Sequence, residues 1–385
     1  MLDFTSALYL GFEHASWSLP GWERLTLGKP AAVEEIPGSR QAQRELAALT
    51  GCERVALGAS TLHLFCDLFA MLAGPDVAIW VDEAAYPIAR WGTDRAAASG
   101  VPVRVFGRHD AAALRRAMGA IGPARPVIVT DGYCPVGGRQ APLPEYARCA
   151  VAGNGLLIVD DTQALGVFGR RAEWLGPYGG GGGGSLRYFG LRDPRIVVVS
   201  SLAKAFGVPM AMLGGGRALV EGFRDNSATL MHCSPPDAAA IAAALRALRL
   251  NRRCGDALRR RLAERVVRFR RGSQDLLATG SLFPVQALKL PGWIDARALY
   301  RALLGGGVRP VFHRDAGNGA PRISFVLTAS HRLSEVDCAV EVLADAVARL
   351  ARETERTRIQ CRTNRLQVFA VSRDIGEAAD GSTGA

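Results

Sequence analysis

Lys204 and Asp160 are the residues whose surroundings best suit them to chemistry. Lys204 stands in Ser200-Ser201-Leu202-Ala203-Lys204-Ala205-Phe206-Gly207, directly after the apolar run Ile196-Val197-Val198-Val199. A lysine between a buried strand and a small-residue turn is a poor solubilising charge. It is a good amine for forming an imine with an aldehyde. Asp160 and Asp161 close another apolar run, Leu156-Leu157-Ile158-Val159. An acid at the end of one strand and an amine at the end of a later one suit a bound ring that carries both an aldehyde and a protonated nitrogen.

Pyridoxal phosphate is such a ring, and its chemistry makes four demands. An amine holds the aldehyde, an acid keeps the pyridine nitrogen protonated, a flat group covers the ring, and several donors hold the phosphate. Lys204 is the amine and Asp160 the acid, with Asp161 directed to the other side of the strand end. Ser60 and Thr61 precede a helical pattern through Leu64, Leu68, Phe69 and Leu72. Hydroxyls and amides at a helix start favour an anion, although simple N-capping by Ser60 is an alternative reading. Ser201 is a second candidate phosphate hydroxyl. Ser234, in Cys233-Ser234-Pro235-Pro236, is a third that could reach across a dimer interface. The six glycines at 179–184 lack the lysine of a phosphate loop and read as a flexible surface loop.

The elements that must position these residues alternate. Strand patterns at 54–57, 77–81, 101–106, 127–130, 156–160, 196–200 and 211–214 are interspersed with helical patterns at 41–49, 60–72, 88–98, 111–118 and 143–151. This predicts a mostly parallel sheet with helices on both faces. Ligands of such sheets gather outside the carboxyl ends of the strands, where Asp160, Ser201 and Lys204 fall. Beyond Pro236 the pattern changes to two helices, 238–250 and 257–277, and then a smaller strand-helix unit. The expected organisation is an N-terminal segment at 1–37 and a large domain at 38–236. A small α/β domain at 237–357 and a polar, mobile tail at 358–385 complete it.

Composition narrows the partners. With 385 residues, 49% hydrophobic and 22% charged, the chain reads as an ordinary soluble protein. Its net charge of +11 comes partly from arginines between 246 and 271 and between 349 and 373. No nucleic-acid module or interleaved stacking aromatics accompany them, so no nucleic-acid partner is expected. They read as solvated helix faces, or as attraction for an anionic substrate such as a coenzyme A thioester. Eight cysteines without a C-x-x-C pair, and no secretory leader, point to the cytoplasm and no disulfides. Six scattered histidines give no metal pattern, and no apolar run reaches membrane-spanning length.

Several segments together resemble the α-oxoamine synthase family of fold-type I pyridoxal-phosphate enzymes. They are Asp3-Phe4-Thr5-Ser6 with Tyr9-Leu10-Gly11, Asp131-Gly132-Tyr133 with Ala141-Pro142-Leu143-Pro144, and Ile158-Val159-Asp160-Asp161 with Gly166-Val167-Phe168-Gly169. Ser201 to Gly207 and Thr328-Ala329-Ser330-His331 complete the set. The resemblance implies an aspartate-aminotransferase-like α/β fold and a homodimer with sites at the subunit interface. It makes Lys204 the Schiff-base lysine and Asp160 the partner of the pyridine nitrogen, with Ser60, Thr61 and Ser201 near the phosphate.

The implied reaction condenses an amino acid with an acyl thioester, from acyl-CoA or acyl-carrier protein. Decarboxylation then gives an α-aminoketone. An aminotransferase or amino-acid decarboxylase working without a thioester is the alternative. A non-enzymatic scaffold is disfavoured by the pairing of Lys204 with Asp160.

Departures from the family pattern are informative. The ring-covering histidine is replaced by Tyr86, which stacks well but carries protons poorly at neutral pH. The histidine near the cofactor's phenolic oxygen is replaced by Gln163, which donates a hydrogen bond but does not titrate. Ungapped counting from His331 places Ser324 where the family has a carboxylate-binding arginine. Arg322, two residues earlier, shares a strand face with it and suits bidentate carboxylate recognition; a surface arginine is the alternative. The segment before Asp3 and the loop near 38–46 are short for the family, which implies altered acyl-chain and coenzyme recognition.

Overall fold

The computed structural model describes residues 1–119, 124–135, 137–314 and 321–379, with side chains through residue 356. Its first strand, β1 (Leu2–Phe4), is followed by α1 (Ser39–Thr50), β2 (Arg54–Gly58), α2 (Thr61–Leu72) and β3 (Val77–Asp82). Next come α3 (Pro87–Ala98), β4 (Val103–Phe106), α4 (Ala111–Gly119) and β5 (Arg125–Asp131). A short hairpin of β6 (Tyr133–Cys134) and β7 (Arg139–Gln140) leads to α5 (Leu143–Ala152) and β8 (Leu156–Asp160). Then α6 (Gly184–Phe189), β9 (Ile196–Ser201), β10 (Ala211–Gly215), α7 (Arg217–Asn226) and α8 (Ala228–His232) follow.

These strands build a seven-stranded sheet in the order β2-β10-β9-β8-β5-β3-β4. Only β10 runs antiparallel to its neighbours. Alternation along each strand divides the core between two faces. In β3, Val77, Ile79 and Val81 join one apolar cluster with α2, α3 and α7. Ala78 and Trp80 join the other with α1, α4, α5 and α6. Burial on both faces explains why the central strands are near-continuous apolar runs.

The second half begins with α9 (Ala238–Ser273) and continues through β11 (Val285–Ala287), α10 (Ala296–Gly305), β12 (Val308–His313), β13 (Arg322–Val326) and α11 (Leu333–Ala379). Its four-stranded sheet has the order β1-β12-β13-β11. Thus the opening segment, which reads as turns, donates an edge strand to this second sheet. Its Leu2, Asp3 and Phe4 pair in parallel with Val308, Arg309 and Pro310.

Two expectations need correction. The two helices with a turn between them are one helix, α9. Gly255 lies mid-helix, where an added Cβ would sit 2.4 Å from Asn251 Oδ1. Its bare backbone leaves room for Arg259 Nη1 to reach Asn251 Oδ1 at 2.9 Å. Arg259 also donates to the Gly166 carbonyl, and Asn251 to the Gly181 carbonyl. These tertiary bonds outweigh glycine's poor helix propensity.

The glycine run is not a loose surface loop. Gly180 bridges to Arg170 and Gly183 to Leu165, and Gly182 to Gly184 are buried. Positive φ at 179, 181, 182 and 184 explains the composition. The last helix, α11, runs on as far as Ala379, with no glycine or proline before Gly376 to stop it. Residues 380–385 lie outside the described residues.

Candidate active site

Three adjacent parallel strands end in buried aspartates, and their side chains have different surroundings. Asp82, at the end of β3, accepts hydrogen bonds from Ala84 N, Tyr146 Oη and Thr130 Oγ1 at 2.8, 2.8 and 3.2 Å. Its oxygens are committed to structure. Asp131 ends β5, directly opposite Asp160 on β8. Its Oδ1 accepts the Tyr86 N–H at 2.9 Å, which anchors the start of α3. Asp160 Oδ1 accepts the Thr162 N–H at 3.0 Å. Thr162 Oγ1 in turn accepts the Ser201 N–H at 3.1 Å, so the ends of β8 and β9 are tied together.

Lys204 lies three residues beyond β9. Burial depresses its amine below the usual lysine range, against the attraction of Asp160 and Asp131. Burial raises the Asp160 carboxyl, while Thr162 and Lys204 pull it down. Asp131 is held well above the carboxylate range, by burial first and then by repulsion from Asp160, against the Tyr86 N–H. Neither acid forms an ion pair with Lys204 within 4.0 Å. A cation against Asp160 would replace the solvation that burial removes. A pyridinium ring with an aldehyde for Lys204 satisfies both groups, so the residues fit pyridoxal phosphate.

The turn after Asp160 packs against the lysine segment. Gly166 has φ +83°, and a Cβ there would lie 2.4 Å from Ala205 Cβ. No other residue type fits that approach without displacing the neighbour of Lys204. On the outer side, the His14 ring is 2.8 Å from the Phe206 carbonyl. Asp161 turns away from the lysine and accepts the Ser185 N–H at 3.0 Å. Its carboxyl is pushed up to about 7 by burial and by Asp160, against Ser185.

The remaining sequence candidates occupy several places. Tyr86 caps α3 and is 56% exposed. Gln163 Oε1 accepts the Tyr9 hydroxyl at 2.6 Å. Ser60 is the N-cap of α2, bonded to the His63 N–H and to its ring, and Thr61 is the first helical residue. Ser201 Oγ accepts the Ala203 N–H at 3.2 Å. Ser234 is exposed between α8 and α9, and among the described residues it makes no hydrogen bond to the lysine cluster. Arg322 opens β13 opposite His313, whose ring lies 3.1 Å from buried Ser324 Oγ.

Asp131, Thr162 and Tyr9 are site residues that the sequence reading gave no role. For Asp131 a signal existed, since it ends an apolar strand just as Asp160 does. Tyr9 had none, because its partner is 154 residues away.

Comparison with known proteins follows this geometry. The family model for aminotransferase class I and II matches residues 27–304. The 8-amino-7-oxononanoate synthase of Methylococcus capsulatus is 32% identical over 338 residues, covering 85% of this chain and 81% of that protein. The chain belongs to the α-oxoamine synthase family. As an α-oxoamine synthase-family protein it is a transferase dependent on pyridoxal 5'-phosphate.

Solved α-oxoamine synthase-family structures share its fold. Sphingomonas wittichii serine palmitoyltransferase superposes with a TM-score of 0.78 at 18% identity, covering 91% of this chain and 88% of that one. The 8-amino-7-oxononanoate synthase of Francisella tularensis gives 0.69 at 19% identity, covering 90% and 98%. Among the described residues of this family member, no helix is long and apolar enough to cross a membrane.

Proposed function

We propose that this protein condenses an amino acid with an acyl thioester and releases carbon dioxide, forming an α-aminoketone. The carrying observation is the cluster of half-buried Lys204 with buried Asp160 and Asp131 at the strand ends of an α-oxoamine synthase-family fold. Bound pyridoxal phosphate supplies an electron sink for the carbanion that forms at the amino acid's α-carbon.

The chain's own residues do the rest. Lys204 would hold the aldehyde and would be the base that takes the amino acid's α-proton. Its depressed proton affinity leaves more of it neutral for that task. Asp160 keeps a proton on the pyridine nitrogen. Asp131 anchors Tyr86, whose ring covers the cofactor, and Gln163 donates to the ring oxygen. Ser60, Thr61 and the amides of α2 hold the phosphate together with Ser201, and Ser234 contributes across a homodimer interface. Arg322 binds the substrate carboxylate.

The acyl donor is acyl-CoA or an acyl-carrier protein, and the setting is the cytoplasm. Replacement of a titratable imidazole by Gln163 favours one competing reading, an aminotransferase or amino-acid decarboxylase that needs no thioester. The test incubates the holoenzyme with a panel of amino acids, with and without acyl thioesters. Thiol release with a stoichiometric aminoketone is expected. Pyridoxamine phosphate or carbon dioxide formed at full rate without a thioester would transfer the assignment to the competing reading.

A further inference from the structure

The N-terminal segment links the smaller sheet to the cofactor side of the molecule through one residue. β1 is held in the smaller sheet by its pairing with β12 and by the His331 ring, whose Nε2 is 2.9 Å from the Asp3 carbonyl. Five residues past β1, the Tyr9 carbonyl accepts the Ala329 N–H at 2.8 Å, just beyond β13. The hydroxyl of the same residue donates to Gln163 Oε1 at 2.6 Å. Tyr9 is 1% exposed, and burial keeps its phenol protonated far above the ordinary range. It is therefore a donor at every working pH. With the amide oxygen of Gln163 committed, the NH2 is the end left for another partner. Gln163 itself sits three residues after Asp160, in the turn bracketed by Thr162 and Gly166 that packs against the lysine segment.

We propose that Tyr9 is a positioning residue: by holding the Gln163 carbonyl, it presents the amide NH2 to the ring oxygen of bound pyridoxal phosphate. This rests on the reading that the cofactor lies between Lys204 and Asp160. A fixed donor favours the deprotonated ring oxygen and so lowers the proton affinity of the adjacent bond between Lys204 and the cofactor. Because the Tyr9 backbone is bonded to Ala329, this tuning is mechanically tied to the smaller sheet, where Arg322 lies.

The experiment is a pH titration of the visible cofactor band in the holoenzyme, in Tyr9→Phe, in Gln163→Leu and in the double variant. Tyr9→Phe is expected to raise the titration midpoint by roughly half a unit to one unit, about three- to tenfold in proton binding. Gln163→Leu should raise it at least as far, and the double variant no further than Gln163→Leu alone. An unmoved midpoint in either single variant, or shifts that add in full, would overturn the proposal. Should Tyr9→Phe fail to fold, Gln163→Asn decides the matter, because it keeps the amide one methylene short of Tyr9. It should behave like Gln163→Leu, and a wild-type midpoint would overturn the role of Tyr9. The site reading fails separately if Lys204→Ala leaves the wild-type band unchanged, whatever the midpoints do.

Discussion

Asp160 and Asp161 are adjacent and equally acidic in isolation, yet their side chains do opposite jobs. Asp160 faces Lys204 and has one oxygen bonded to Thr162. If Asp160 holds the ring proton as proposed, its replacement by Asn keeps the shape but loses the charge that does so. Turnover of Asp160→Asn should fall by about 10²- to 10⁴-fold with the fold retained, checked by steady-state rates beside circular dichroism. Asp161 faces Ser185, and its carboxyl is raised to about 7 from an ordinary 3.8. Folding therefore favours its protonated form. That contribution is fully present below the unfolded value and is lost as pH rises through about 7, amounting to at most about 4 kcal/mol. Denaturant unfolding at about pH 5 and about pH 8 should show a drop for the wild type and a smaller one for Asp161→Asn. Equal drops would remove Asp161 as the cause.

Among the elements, the turn between β8 and α6 carries the most consequence, because α9 and the lysine segment both press on it. Gly166→Ala forces a Cβ into Ala205 while straining a positive φ. It should weaken cofactor retention by about tenfold, read from reconstitution of the stripped protein. Arg259, whose side chain is 1% exposed, braces the same turn from α9 through the Gly166 carbonyl, Asn251 and Asp256. Arg259→Ala leaves those acceptors without their donor and should cost about 3 kcal/mol or more in chemical denaturation. These bonds also explain why α9 is one helix where the sequence pattern predicts two. The run Arg252-Arg253-Cys254-Gly255-Asp256 has the composition of a turn, and it stays helical only because both sides of Gly255 are bonded to distant backbone.

At the scale of the whole molecule, the proposed site draws on both sheets. Arg322 stands on the smaller one, and Lys204 follows β9 of the larger one by three residues. If Arg322 binds the substrate carboxylate, Arg322→Ala should raise KM for the amino acid by tenfold or more, with a lesser effect on kcat. A change confined to kcat would place carboxylate recognition elsewhere. Light scattering of the purified protein should give twice the chain mass of 41.0 kDa, as the proposed shared interface requires. A monomer with full activity would exclude a contribution from Ser234 across subunits.

By itself the sequence determined the strand-helix alternation, the edge where chemistry collects, and the amine and acid that face it. These are properties of short stretches: apolar runs buried on both faces, helical spacing over a dozen residues, and polar residues where the runs stop. Tertiary structure alone decided the partners of the other strand-end acids, Asp82 with Ala84 and Tyr146 and Asp131 with Tyr86. It also decided that Gly182 to Gly184 of the glycine run are buried, that β1 joins the far sheet and that Tyr9 holds Gln163. Each of those outcomes depends on polar groups desolvated together although far apart in the chain, as Tyr9 and Gln163 are by 154 positions, and no local pattern encodes such a meeting.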